Sequence, residues 1–110
     1  MANVLLTWTA PTVTNNVSGI VIARIADDGT QTAPSCDAFI ADNQLRNSTA
    51  ADLVSGGTVV QVGSDITDLA VTQVVDQGVP QGDYWYAAFS YNNAGYSPCD
   101  VNDTLVSVTA

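Results

Sequence analysis

The fifteen residues Asp83–Ser97, DYWYAAFSYNNAGYS, constrain the fold of this 110-residue chain more than any other stretch. They carry Tyr84, Trp85, Tyr86, Phe89, Tyr91 and Tyr96, which are six of its eight aromatic residues. Aromatic side chains suit a pleated, packed surface, and Asn92-Asn93-Ala94-Gly95 brings the residue types that tolerate tight turns. The run therefore reads as one long strand entering a turn. Successive side chains of a strand point to opposite faces, so Tyr84, Tyr86, Ala88 and Ser90 form one row, and Trp85, Ala87, Phe89 and Tyr91 form the other.

This run resembles the F strand and F–G turn of a fibronectin type III domain. Tyr84 matches the family's corner tyrosine, Tyr86 and Ala88 its inward positions, Ser90 its small residue, and Asn92, Ala94, Gly95 and Ser97 its turn. A second stretch, Leu6-Thr7-Trp8-Thr9-Ala10-Pro11, resembles the family's strand B, with Trp8 as the core tryptophan and Pro11 closing the strand. The resemblance implies an all-β fold: a single domain spanning residues 1–110, built as an antiparallel β-sandwich of fibronectin type III or immunoglobulin-like type. It gives Trp8, Tyr84, Tyr86 and Gly95 structural roles, and the Tyr84 hydroxyl a backbone partner just upstream. One departure stands out. The family places a full strand A before its tryptophan, whereas here the tryptophan is residue 8, so strand A is expected to be truncated or missing. Strand B then lies at or near a sheet edge, where either a neighbouring chain pairs with it or a displaced segment of the same chain covers it.

The remaining elements follow from pattern. Gly19–Ala26, GIVIARIA, reads as strand C, with Ile20 and Ile22 inward by the same resemblance, and Asp27-Asp28-Gly29-Thr30 reads as a turn. Residues 31–57 form an insertion between strands C and E, with a short edge strand at 37–41 and a turn or two of helix at 49–54. Thr58–Val62 reads as a short strand, Leu69–Val75 as strand E, Gln77–Gly82 as the corner into Tyr84, and Leu105–Thr109 as strand G.

Composition narrows the function. Eleven acids stand against two bases, Arg24 and Arg46, for a net charge of −9. That balance argues against nucleic acid and anionic membranes as partners, because phosphate binding draws on Lys and Arg. No run approaches the length of a membrane-spanning helix, and the first residues lack the pattern of a signal peptide, so the chain is expected to be made in the cytoplasm. There is no histidine, and Cys36 and Cys99 lie far apart without metal-ligand spacing. Those two thiols are read either as free and buried or as a bridge across the top of the sheet. A serine or cysteine nucleophile would lack its usual base, no phosphate-binding loop is present, and the carboxylates read as turn residues. Asp27 and Asp28 offer too few oxygens for calcium. The expectation is a protein that is not an enzyme and uses no metal or cofactor.

The feature that points to a function is the row facing away from the family core. Trp85, Phe89 and Tyr91 on strand F, beside Val21, Ala23 and Ile25 on strand C, form an apolar patch that reads as a protein interface, unless the insertion folds over it. Small acidic domains of this kind resemble decoration, tail and fibre modules that tailed bacteriophages assemble onto virions in the host cytoplasm. That class implies a capsid or tail protein, or further copies of the same chain in a homo-oligomer, as the partner. The alternatives are an adhesion or carbohydrate-binding module at a cell surface, with Trp85, Phe89 and Tyr91 stacking on sugars, and a spacer within a larger secreted or surface protein.

Overall fold

A computed structural model of the chain describes residues 2–9, 17–35, 38–40, 59–92, 95–96, 100–101 and 105–109. The described residues are nearly all β, in two antiparallel sheets, and contain no helix longer than a single turn. The smaller sheet is a ribbon of two strands, β1 (Ala2–Thr7) and β4 (Gln73–Val79). The larger runs β3 (Val59–Gln61), β2 (Gly19–Ala26) and β5 (Gly82–Asn92). The far edge of β5 is lined by three short pieces, β6 (Gly95–Tyr96), β7 (Asp100–Val101) and β8 (Val106–Val108).

The β2–β5 pair is the spine of the fold. Its ladder runs unbroken from Gly19↔Tyr91 to Ala26↔Tyr84, so the parity of each strand decides what each side chain meets. Ile20 and Ile22 share one face with Tyr84 and Tyr86, and pack there with Val62, Val79 and Val108 beneath the ribbon. Val21 and Ala23 share the opposite face with Trp85, Ala87, Phe89 and Tyr91. Gly19 is required by proximity: a Cβ there would come within 2.7 Å of the Ile66 carbonyl, which accepts the Ile20 N–H at 2.8 Å.

The chain changes sheets between β4 and β5, at Pro80-Gln81. Gly82 has φ 152°, a conformation L side chains rarely adopt, which lets the turn pass directly into β5. The Tyr84 hydroxyl donates to the Pro80 carbonyl at 2.9 Å, tying the new strand to the corner it has just left. The corner is tighter than the expected Gln77–Gly82, because residues 77–79 belong to β4. The expected strand at Leu69–Val75 likewise sits four residues further on. Val71 donates its N–H to the Asp68 carbonyl in a turn, and pairing with β1 begins only at Gln73.

The last strand is interrupted. Between Ala87↔Val101 and Tyr84↔Val106, β5 advances three residues while its partner advances five, so the ladder restarts in a new register at β8. Several earlier expectations lie outside the described residues: Pro11 as the end of its strand, the helical turns at 49–54, Arg46, the turn residues Asn93, Ala94 and Ser97, and the state of Cys36 and Cys99.

Candidate functional site

The patch expected at Trp85, Phe89, Tyr91, Val21, Ala23 and Ile25 does gather on one face of the β2–β5 pair, with Val21 directly opposite Phe89 and Ile25 opposite Trp85. It is not an open surface. Val21, Ala23 and Phe89 have no exposure, Trp85 has 4% and Tyr91 8%, and Ile25 is half-buried. Residues 38–40 of the insertion cover them: Phe39 and Ile40 are buried in the same cluster, and the Phe39 ring meets Phe89 edge-on at 6.3 Å between centroids. The strand parity is as expected and the exposure is not, because alternation assigns a side chain to a face and is silent about what lies over that face. The described part of the 37–41 stretch begins as a turn, with the Ala38 N–H donating to the Ser35 carbonyl at 3.1 Å.

Trp85 also anchors a loop. Its indole N–H donates to Asp27 Oδ1 at 2.9 Å, while Asp27 Oδ2 accepts the Gly29 N–H at 2.9 Å. Asp28 accepts from the Thr30 hydroxyl at 2.6 Å and the Thr30 N–H at 3.1 Å, and these bonds hold its carboxyl below the ordinary aspartate range. Both acids thus serve the turn.

Beneath the ribbon lies a buried polar group that the sequence reading missed. Arg24 Nη1 of β2 donates to both carboxylate oxygens of Asp76 on β4, at 2.9 and 2.7 Å, and the Tyr86 hydroxyl of β5 donates to Asp76 Oδ2 at 2.8 Å. The guanidinium also lies 5.5 Å from the centre of the Tyr84 ring. Burial, and the negative charge of Asp76 beside it, push the Tyr86 hydroxyl well above the ordinary tyrosine value. Asp76 is therefore no turn residue, contrary to the reading of every carboxylate as one. Its signal was present in the sequence: Arg24 falls on the inward parity of Ile20 and Ile22, and a charge in that row demands a buried counter-ion. The three groups satisfy one another, so the triad reads as a clamp between sheets. Trp8, expected in the core, is half-buried against the same cluster, and its indole N–H is buried without an acceptor among the described residues.

One feature of the described residues remains open. The ribbon is only two strands wide, and no other strand pairs with the free edge of β1. Trp8 donates its N–H to the Thr72 carbonyl at 3.0 Å, which sets the phase of the ladder: Val4, Leu6 and Trp8 direct their backbone groups toward β4, and Leu5 and Thr7 direct theirs to the free edge. Alongside this edge runs a groove of about 640 Å³, whose walls include Val4, Leu6 and Trp8 on one side and Ala88, Val101 and Val106 on the other. The outer face of the ribbon adds the cross-strand neighbours Leu5 and Val75, which are 59% and 42% exposed.

Comparison of the chain with protein-family models, curated proteins and solved structures finds no match.

Proposed function

We propose that the chain is a non-enzymatic structural and interaction protein, built as a fibronectin type III or immunoglobulin-like sandwich and working through protein–protein contacts. Support for the sandwich comes from the strand order, with β1 and β4 in one sheet and β3, β2 and β5 in the other, and from the Tyr84–Pro80 bond at the crossing. The interaction reading is carried by a single observation, the edge of β1 that no strand among the described residues pairs with. Its sequence, ANVLLT, has none of the charges or prolines with which proteins usually blunt an edge strand.

The setting that best fits is a bacteriophage virion, with the chain made in the host cytoplasm and joined to a capsid or tail protein as a decoration, tail or fibre module. This step rests on the resemblance of small acidic domains to such modules. The carbohydrate-binding alternative loses its basis, since the rings it needs for stacking, Trp85, Phe89 and Tyr91, are covered by the chain itself.

Light scattering of the purified chain, alone and mixed with capsid and tail proteins, tests the interaction reading. A stable closed oligomer or a stoichiometric complex supports it, and a monomer indifferent to both partners overturns it. Immunogold labelling of purified phage particles tests the virion setting separately: label confined to the cell surface would move the protein to an adhesion role.

A further inference from the structure

We infer that the groove along the free edge of β1 accepts an extended, basic segment of a different protein, which adds to the β1–β4 ribbon as a third strand. The inference rests on the interaction reading above and names the chemistry of the partner.

Three observations converge on it. The first is the backbone. Leu5 and Thr7 turn their N–H and C=O groups outward along an uncharged edge, the arrangement that lets an incoming strand continue a ladder. The second is shape. The inward row of β1, Ala2, Val4, Leu6 and Trp8, is only half-buried, while Ile20 and Ile22, facing it from β2, are 6% and 4% exposed. Among the described residues the ribbon is two strands wide, narrower than the sheet it covers, and the groove lies over Ala88 and Val106. A strand laid beside the six residues of β1 would run about 20 Å and direct every second side chain into that groove. Apolar residues at those positions would bury what remains exposed of the row.

The third observation is charge, and it decides between partners. A second copy would bring its own net charge of −9 to a chain that already carries −9. Of the two bases, Arg24 is engaged with Asp76 inside the fold. Eleven acids against two bases leave the chain as a whole strongly acidic. An incoming strand with Lys or Arg at its alternate, outward positions would be drawn to a chain of this net charge, the attraction acting over roughly the Debye length of 8 Å in physiological salt.

Fluorescence anisotropy with three labelled ten-residue peptides provides the test: alternating valine and lysine, alternating valine and aspartate, and the lysine peptide with alternate amides N-methylated. The unmodified lysine peptide is expected to bind at least about tenfold tighter than either control, and to weaken as salt is raised. Leu5→Pro removes a donor on the free edge and leaves the bonds to β4 in place, so it should reduce that affinity by a similar factor with the far-UV spectrum unchanged. If Leu5→Pro fails to fold, the N-methylated peptide still reads the ladder on the unaltered protein. Equal binding of the lysine and aspartate peptides, binding indifferent to N-methylation, or no binding at millimolar peptide would each overturn the inference. So would a dimer of the wild-type chain that Leu5→Pro dissolves, since the occupant would then be a second copy. A complex with capsid or tail protein that persists in Leu5→Pro would overturn the groove while sparing the interaction reading.

Discussion

The two faces of the β2–β5 pair are buried to a similar depth by different means. One face buries no charged side chain, and part of its cover is the short segment 38–40, outside any named strand. The other holds Arg24, Asp76 and Tyr86, and its cover is a two-stranded ribbon that keeps one register from Val4↔Asp76 to Thr7↔Gln73 and shifts it only beyond, at Ala2. Burial of apolar surface is non-directional, so Phe39 and Ile40 need only shape to seal Val21, Ala23 and Phe89. A buried charge needs its counter-ion at a fixed distance and angle, which a strand locked in register can supply. The irregular cover therefore lies over the dry face, and the regular one over the charged face.

The strongest way to break this comparison is to damage each face once. Phe89→Ala deletes a ring with no exposure and should cost about 3–5 kcal/mol in urea denaturation. Asp76→Ala leaves Arg24 charged and unpaired inside the fold and should cost about as much, 3–5 kcal/mol. The rescues separate them. Adding Arg24→Met to an Asp76→Leu background removes both charges, and most of the lost stability should return. Enlarging Ala87, a neighbour of Phe89 in the same cluster, to leucine should recover little, since packing lost at one point is not restored from another. If the double apolar variant stays as unstable as Asp76→Ala, register rather than charge pairing is what the triad provides.

This contrast also shows what was legible in the sequence. Gly19–Ala26 was readable to the residue, and the long strand ending near Asn92 nearly so, because alternation and turn residues are local signals. The two rows of β5 were readable for the same reason. The cover over the Trp85–Phe89 row was not, because whether Phe39 returns to Phe89, fifty residues away in sequence, is a tertiary fact that no local pattern carries. Strand β4 was misplaced for a related reason. Asp76 looks like a strand terminator until its partner Arg24 is known, and the stretch from Leu69 onward looks like strand although it begins as a turn. The triad was half legible, since the parity of Arg24 called for a counter-ion without saying which of eleven acids supplied it.

A smaller effect sharpens the description of the charged face. Tyr86→Phe keeps the ring and removes one hydrogen bond to a carboxylate, at a cost of about 1.5–3 kcal/mol near neutral pH. Its pH dependence is the sharper signature. The folded state holds the Tyr86 proton above the ordinary tyrosine value of 10.0, where the unfolded chain releases it. The hydroxyl's contribution is thus complete below pH 10 and declines as pH rises beyond it. The wild-type chain should lose stability above that point faster than Tyr86→Phe, and the two curves should converge. Parallel curves through that range would mean that the hydroxyl titrates normally and that the bond to Asp76 is weak.

The smallest expected effect is Tyr84→Phe, two residues earlier in the same row. The hydroxyl removed here donates to a neutral carbonyl, that of Pro80, on an exposed corner where water can take its place. The ring stays, and with it the contact to the Arg24 guanidinium. A cost of about 0.5–1.5 kcal/mol follows, at the lower end if water solvates the freed carbonyl. Tyr84→Phe and Tyr86→Phe thus delete the same atom from neighbouring positions on one strand, and differ in whether its partner is charged and buried or neutral and wet. A gap of about 1 kcal/mol between them in urea denaturation would measure that difference directly. If Tyr84→Phe proves as costly as Tyr86→Phe, the hydroxyl does more than close a corner. The crossing between sheets at Pro80-Gln81, and not the Arg24–Asp76 pair, would then be what holds the ribbon in place.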